Sequence, residues 1–321
     1  MENNSGNENG RPAGWERDVI EKLAFASLND SRKAWRWNLA FKIFIVVYLV
    51  VLLLISQSGN ISDKGLSGKV TALVDLQGEI SSESPAGADE IITGLRAAFE
   101  DKSAVGVILR ANSPGGSPVQ SAAIYDEIMR LREKYPDKPV YAVVTDVCAS
   151  GCYYIVAAAN RIYANPSSLV GSIGVLMDGF GFVEAMKKLG VERRLLTAGE
   201  NKGVLDPFSP LDDKSRQHAQ KMLGEVHQQF IDAVKRGRGA ALKPNKEIFS
   251  GLFWSGLRAK ELGLVDEFGS AGYVAREVLG AEEIVDYTVH ENFLQRLTQQ
   301  LGMAMGRGLA TEIKQQNTGL R

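Results

Sequence analysis

The most hydrophobic part of the chain lies near its N-terminus. The segment Ile43–Ile55 (IFIVVYLVVLLLI) contains no charged residue, and Leu39–Phe41 extends the apolar stretch beyond the single Lys42. A membrane-spanning helix needs about 20 apolar residues, and a lysine near one end can reach the interface with its side chain. The pattern therefore predicts one transmembrane helix over residues 39–58.

The charges beside this segment predict its orientation. Residues 31–42 carry four basic side chains and no acidic one. Because positive charge is retained on the cytoplasmic side, residues 1–38 are predicted to form a cytoplasmic tail and the rest to lie outside. A cleaved secretory signal and a buried core helix are the alternatives. The long preceding stretch argues against the signal, and the lack of a polar face argues against the core helix.

Beyond residue 69, short apolar runs alternate with stretches of helical periodicity. This alternation indicates an α/β domain with largely parallel strands. We expect one folded domain over residues 69–290, joined to the membrane segment by a linker at 59–68. The predicted strands are Val70–Leu76, Val105–Leu109, Val140–Val144, Arg161–Ala164, Val170–Leu176 and Arg193–Leu196; the predicted helices are Ala88–Phe99, Val119–Lys134, a short one from Gly151, Leu211–Lys235 and Ala271–Leu279.

The last segment, residues 291–321, is predicted to be amphipathic. Phe293, Leu297, Leu301 and Met305 recur every four residues, the spacing of one helix face. Such a face can pack on the domain, on a partner subunit or on the bilayer, and the spacing does not distinguish these.

Composition excludes several classes of function. The 321 residues carry a formal net charge of -1, which gives no reason to expect nucleic acid as a partner. Cys148 and Cys152 are the only cysteines, and the three histidines are not clustered. We therefore expect neither a metal site nor a cofactor.

The first candidate site is Asn112–Ser117 (NSPGGS), directly after a predicted strand. In an open α/β sheet, ligands bind at the carboxyl ends of the strands. The adjacent Gly115 and Gly116 can adopt backbone angles closed to other residues and can expose main-chain N–H groups, as an oxyanion hole requires. A turn without function also uses Pro-Gly-Gly, so this motif alone does not distinguish an oxyanion hole from an ordinary turn.

The second candidate site is Ser150, between a buried strand and a helix of small residues. At a helix N-terminus its hydroxyl faces a positive backbone dipole, and the N–H of Gly151 is free to bind developing negative charge. That environment suits a nucleophilic serine. A serine at this position also serves as a helix N-cap, and spacing alone favours the cap.

A catalytic serine needs a base, for which histidine is the usual residue. His218 and His227 fall among polar residues of the predicted helix Leu211–Lys235, and His290 lies near the domain end, so a Ser-His-Asp triad is poorly supported. A lysine can replace histidine when its surroundings keep it neutral. Lys202 lies in a loop-like stretch, but spacing does not single it out among the chain's lysines.

Together these motifs resemble the signal peptide peptidase A (SppA) group of serine-lysine peptidases. The resemblance implies an α/β domain of the Clp protease/crotonase type, built from repeated ββα and βα units and here preceded by one transmembrane helix. The matching stretches are Asn112–Ser117 (NSPGGS), Ala149–Ala158 (ASGCYYIVAA), Ile162–Val175 (IYANPSSLVGSIGV), Asn201–Pro210 (NKGVLDPFSP) and Glu261–Gly269 (ELGLVDEFG).

The resemblance also implies roles for individual residues. Ser150 matches the nucleophile, Lys202 matches the general base, and Ser172 matches a serine that orients the lysine. The oxyanion hole would use the N–H of Gly151 and that of a glycine in the Pro-Gly-Gly turn, for which Gly116 is preferred on similarity to Clp protease.

The chain departs from the group at Cys148 and Cys152, where small residues such as Ala or Gly are usual. A thiol competing with Ser150 as nucleophile is therefore an alternative. We do not expect a disulfide, because the two side chains should diverge around a turn into a helix.

The resemblance further implies an assembly and a location. Short members of the group form dome-like homo-oligomeric rings in which a lysine serves the serine of a neighbouring subunit. The expected enzyme is held in the cytoplasmic membrane, faces the extracytoplasmic side and hydrolyses peptides such as cleaved signal peptides. The alternatives are a catalytically silent membrane scaffold of the same fold and an acyl-CoA enzyme of the crotonase type.

Overall fold

The computed structural model describes residues 35–52 and 68–290. The chain divides into two compact units, Met1–Leu66 and Ser67–Arg321. In the first, helix α1 (Trp35–Leu52) is a single 18-residue helix, long and apolar enough to cross a membrane. It already includes residues 35–38 of the predicted tail. Residues 1–34 of that tail, residues 53–58 of the predicted transmembrane segment, residues 59–67 of the predicted linker and the C-terminal segment lie outside the described residues.

The second unit alternates strands and helices from its first element onward, because short continuous apolar runs alternate in the sequence with apolar residues spaced at the helical period of 3.6. Many strand positions are buried on both faces, as expected of parallel strands covered by helices. The elements are β1 (Val70–Gln77), α2 (Ala88–Glu100), β2 (Ala104–Ser113), α3 (Pro118–Lys134), β3 (Val140–Ala149), α4 (Gly151–Val156), β4 (Arg161–Ala164), β5 (Leu169–Gly171), α5 (Val183–Leu189), α6 (Asp213–Arg238), β6 (Phe253–Ser255), α7 (Gly256–Glu261), β7 (Glu267–Phe268), α8 (Ala271–Tyr273), which continues as a π-helical turn over Val274–Val278, and β8 (Ile284–Asp286).

The described strands form one sheet in the order β6-β5-β3-β2-β1-β8; β4 also pairs with β3, and β7 pairs with β4. All pairs are parallel except the antiparallel pair β5–β6. Strand β3 pairs with two strands in succession along its length. Its residues Tyr141–Val143 pair with β4, and Val147–Ala149 pair with β5. The carboxyl ends of β2, β3 and β5 therefore meet at one edge of the sheet.

The core lies between this sheet and its helices. Helix α2 illustrates how the sequence builds it: Ile91, Leu95, Ala98 and Phe99 recur at helical spacing and are all buried. Burying one such large apolar side chain stabilises the fold by about 1.5–3 kcal/mol. The α/β fold class predicted from the sequence is confirmed.

Two predicted strands differ from the observed ones. The strand predicted at Val170–Leu176 ends at Gly171, because Ser172 has a φ of 52° and leaves the extended conformation. The strand predicted at Arg193–Leu196 is wrong: residues 191–197 carry no regular structure, and Leu196 is 95% exposed. An apolar run cannot become a strand without a neighbouring strand to pair with, and none of the described strands pairs there.

Candidate active site

Ser150 occupies a single-residue junction between β3 and α4. Its backbone angles are φ 52° and ψ −121°, in a region that L residues seldom adopt. Such a conformation costs about 1–3 kcal/mol and persists only where the surroundings hold it. Here the Ser150 N–H donates to the carbonyl of Gly171 at 2.9 Å, and its carbonyl accepts from the N–H of Tyr154 at 3.0 Å.

The hydroxyl of Ser150 makes no capping hydrogen bond to α4 within the described residues. The N-cap interpretation, which spacing alone favoured, is therefore wrong. A half-buried hydroxyl on a strained turn, without a structural partner, is placed as a nucleophile would be.

The glycine turn before α3 packs directly against Ser150. Gly115 has a φ of 104°, and a methyl group added to it would lie 2.8 Å from the Ser150 Cβ and 2.8 Å from the Gly151 nitrogen. Gly116 has a φ of 150°, and a methyl group there would lie 2.1 Å from the carbonyl oxygen of Ile80. Both positions therefore require glycine, for conformation and for space.

Hydrogen bonds distinguish the two glycines as oxyanion donors. The N–H of Gly115 donates to the buried hydroxyl of Ser113 at 3.1 Å. The N–H of Gly116 has no acceptor among the described residues, since Ile80 bonds instead to the carbonyl of Gly115 and to the N–H of Ser117. This pattern favours Gly116 over Gly115.

The second candidate donor lies close to the first. The N–H of Gly151 also has no acceptor among the residues that the structure describes. A methyl group added to Gly151 would lie 3.2 Å from the Gly116 nitrogen, so the two main-chain segments are in near contact. Two free N–H groups beside one serine hydroxyl form the arrangement that stabilises an oxyanion.

Ser172 lies directly after β5. It has a φ of 52°, and its N–H donates to the carbonyl of Leu252 at 2.8 Å. Its side chain is half-buried and lines the same cavity as Ser150. The structure therefore brings together Ser150, Gly151, Gly116 and Ser172.

The cavity that these residues line has a volume of about 1030 Å³. Its walls are mostly apolar and come from α3, α4, the residues after Ser172 and α6. Tyr154 and Phe230 stack with ring centroids 4.9 Å apart and form part of the wall. An apolar side chain of a bound peptide can be accommodated here.

Lys202 is not brought to this cavity within one protomer. It lies in an exposed turn, where its N–H donates to the carbonyl of Gly199 at 3.1 Å, and it is not among the residues lining the cavity. The turn belongs to residues 174–211, which we call the arm; α5 is the one regular element described within it. The predicted Ser150–Lys202 pair is thus not formed inside a single chain.

His227 is a cavity residue that the sequence did not reveal. It was predicted to face solvent, but it is half-buried, lines the cavity, and has its Nε2 3.2 Å from the carbonyl oxygen of Ile173. The missed signal is its spacing on α6, one residue from Val226 and three from Phe230, which places it on the buried face. His218 and His290 are exposed.

The prediction that the two cysteines do not form a disulfide is wrong. Cys148 and Cys152 form a disulfide, with Cα atoms 5.1 Å apart and both side chains fully buried. The positive φ of Ser150 turns the chain so that both side chains point into the core instead of diverging. The chain has no free cysteine, so no thiol competes with Ser150.

Comparison with known proteins shows the family of this chain. The pattern of peptidase family S49 matches residues 132–284, a range that includes Ser150, Ser172 and Lys202. A putative protease of Methanocaldococcus jannaschii is 36% identical over 216 residues, which are 65% of this chain and 68% of that protein. The chain belongs to peptidase family S49. The predicted resemblance to the SppA group is confirmed.

Two further relatives are similar to this chain over only part of their own length. A putative signal peptide peptidase SppA of Enterococcus faecium is 31% identical over 200 residues, 62% of this chain and 58% of that protein. A Brucella abortus protein named Na(+)/H(+) antiporter NhaA is 47% identical over 186 residues, 58% of this chain. The match spans only 25% of the Brucella protein's length, so its name describes a much longer chain.

Proposed function

We propose that this S49 protein is a membrane-anchored serine endopeptidase in which Ser150 is the nucleophile and Lys202 the general base. The observation that carries the proposal is the strained turn of Ser150 beside the free N–H groups of Gly116 and Gly151. A strained serine, two unpartnered donors and an apolar cavity together match the needs of acyl transfer.

The reaction follows from these positions. The neutral amine of Lys202 takes the proton of the Ser150 hydroxyl, and the oxygen attacks a peptide carbonyl. The N–H groups of Gly116 and Gly151 hold the oxyanion that forms. The Lys202 ammonium gives its proton to the leaving amine of the peptide. The lysine, neutral again, then deprotonates a water molecule, which hydrolyses the acyl-enzyme. The hydroxyl of Ser172 orients the lysine through a hydrogen bond.

We infer that Lys202 reaches the Ser150 of a neighbouring copy. Within one protomer Lys202 is exposed on the arm, away from the cavity. The arm also exposes an unusual number of large apolar side chains, among them Leu176 at 80%, Phe180 at 79% and Leu196 at 95%. Surfaces of this kind mark protein interfaces, so a homo-oligomeric ring would both bury the arm and complete the site.

The substrates proposed are peptides bound in an extended conformation. The apolar cavity beside Ser150 favours an aliphatic or aromatic side chain. The relative from Enterococcus faecium is named a putative signal peptide peptidase. Remnant signal peptides, which are apolar and released at the membrane, fit both observations.

We propose that α1 anchors the enzyme in the cytoplasmic membrane, with the N-terminus cytoplasmic and the catalytic domain outside. The basic residues before the apolar segment support this orientation. The Cys148–Cys152 disulfide supports it independently, because disulfides persist in oxidising compartments and are rare in the cytosol.

A silent scaffold of the same fold is the competing hypothesis. It gives no reason for a strained serine, for two glycines that exclude any side chain, or for free N–H groups facing a cavity. An acyl-CoA enzyme of the crotonase type would also use an oxyanion hole, but it needs neither Ser150 nor a membrane anchor.

The test is a set of three full-length variants in detergent, assayed on an apolar peptide. Ser150→Ala and Lys202→Ala should each lose activity, while His227→Gln should retain most of it. Mixing the two inactive variants and allowing subunits to exchange should restore part of the activity if the pair is shared between copies. Full activity of Lys202→Ala would refute the serine-lysine assignment, and loss in His227→Gln alone would point to a histidine base.

A further inference from the structure

The disulfide encloses the proposed nucleophile. Cys148 is the second-last residue of β3 and Cys152 the second residue of α4, so the bond closes a ring around Ala149, Ser150 and Gly151. Ser150 is at the centre of that ring and has the positive φ described above. The bond thus joins the end of a central strand to the first turn of the next helix, across the one strained residue between them.

Both ends of the bond are attached to well-ordered parts of the fold. Cys148 pairs with Ser113 of β2 on one side and with Val170 of β5 on the other. Cys152 is fully buried in α4. The sheet therefore fixes one end and the packed helix fixes the other, which leaves the intervening turn little freedom to relax.

We propose that the Cys148–Cys152 disulfide is a positioning device for Ser150 that keeps its hydroxyl aimed at the substrate carbonyl. The proposal rests on the function of Ser150 proposed above. Because the closed ring is very short, the bond removes less chain entropy from the unfolded state than a bond that closes a long loop. We expect its effect on catalysis to come from the local geometry of the turn.

Reduction provides a way to remove the bond without changing a residue. A dithiol reductant supplies two electrons and two protons; the S–S bond breaks, two thiols form, and the reductant closes into its own disulfide. Two thiol sulfurs cannot remain at bonding distance, so in a fully buried site both side chains must move apart. That movement acts on the residues on either side of Ser150.

The experiment compares the full-length protein in two redox states. Oxidised enzyme is compared with the same detergent-solubilised enzyme after incubation with the dithiol reductant and removal of the reductant, with the thiols counted by mass spectrometry after alkylation in denaturant. The rate of Ser150 acylation is measured with an active-site-directed fluorophosphonate, and kcat and KM with a peptide. Acylation and kcat should fall about tenfold or more in the reduced enzyme, since small misplacements of reacting groups cost this much, while KM changes little. Reoxidation should restore both.

Alanine variants distinguish the effect of the disulfide bond from the effect of the volume that its sulfur atoms fill. Cys148→Ala and Cys152→Ala should each match the reduced enzyme, and the double variant should be insensitive to reductant. Equal acylation rates in oxidised and reduced wild type would overturn the proposal. So would slow acylation in the alanine variants alone, because that result assigns the effect to lost volume.

The same data distinguish failure of this inference from failure of the proposed function. If oxidised wild type labels no faster than Ser150→Ala, the nucleophile assignment fails before the disulfide is tested. Thermal unfolding and the assembly state are recorded for every form. A fall in melting temperature with an unchanged acylation rate would show a purely structural bond and would also overturn the proposal.

Discussion

The buried hydroxyl of Ser113 accepts the N–H of Gly115 at 3.1 Å. Through this one bond, a residue at the end of β2 determines which glycine of the turn keeps its N–H free. The N–H of Gly115 is hydrogen-bonded within the protein, whereas the N–H of Gly116 is free beside Ser150. Ser113 therefore acts through the glycine turn and is a positioning residue for the proposed oxyanion hole.

The variant Ser113→Ala should lower kcat about tenfold and leave KM nearly unchanged. Without its acceptor, the Gly115 peptide can rotate and disturb the neighbouring Gly116 N–H, and loss of one oxyanion donor costs about 10²–10³ in kcat, which sets the upper limit. Steady-state kinetics check this. Ser113→Thr keeps a hydroxyl and should recover part of kcat.

A matched serine elsewhere controls for stability. Ser270 caps α8 by accepting the N–H of Tyr273, so Ser270→Ala should cost about 0.5–2 kcal/mol of stability and leave kcat unchanged. A wild-type kcat in Ser113→Ala would contradict the positioning role.

The variant Gly116→Ala should reduce kcat by at least about 10²-fold, as expected when an oxyanion donor is displaced. Its methyl group would lie 2.1 Å from the carbonyl oxygen of Ile80, and neither backbone can retreat without breaking their bridge. Gly224→Ala is the control: it lies inside α6 with no atom within 4 Å of the added methyl. That variant should gain about 0.5–1 kcal/mol of stability at full activity. Full activity in Gly116→Ala would exclude its N–H from the site.

The pH–rate profile tests the identity of the base. A lysine acts as a base only when neutral, so kcat/KM should rise towards alkaline pH. The variant His227→Gln keeps a hydrogen-bond donor near the Ile173 carbonyl and should keep the same alkaline limb. If the limb instead disappears in His227→Gln and persists in Lys202→Arg, histidine is the base.

Acid should remove a defined part of the stability through Glu127. Two hydrogen bonds from Arg130, followed by one from Arg96, outweigh the opposing effect of burial and lower the pKa of Glu127 to about 2. Since the ordinary pKa of this carboxyl group is 4.5, the stabilisation is complete above that pH and is lost as the pH falls towards 2. Both arginine side chains are half exposed, which limits the effect to about 1–2 kcal/mol.

The measurement is thermal unfolding of Glu127→Gln and wild type from pH 7 to pH 2. The two melting temperatures should differ at pH 7 and converge between pH 5 and pH 2, where Glu127 of the wild type becomes protonated and its ion pairs with the arginines are lost. Glu133→Gln, an exposed glutamate on the same helix, should behave like wild type throughout. A difference that stays constant with pH would assign the loss to packing.

The sequence determined the α/β fold class, the position of the apolar helix and the two strand-to-helix junctions at Asn112–Ser117 and Ser150. These features are local: hydrophobic period and glycine content depend on residues that are neighbours in the chain. The S49 motifs were recognisable for the same reason, since each is a short contiguous stretch.

The tertiary structure alone decided which groups at those junctions are free to act. The choice of Gly116 over Gly115 depends on Ser113 and on Ile80, and the uncapped hydroxyl of Ser150 depends on Gly171. Packing between distant segments likewise places His227 in the cavity and keeps Lys202 away from it. The disulfide was mispredicted because the strained φ of Ser150, which turns both cysteines inward, is imposed by the fold around it and leaves no trace in local sequence.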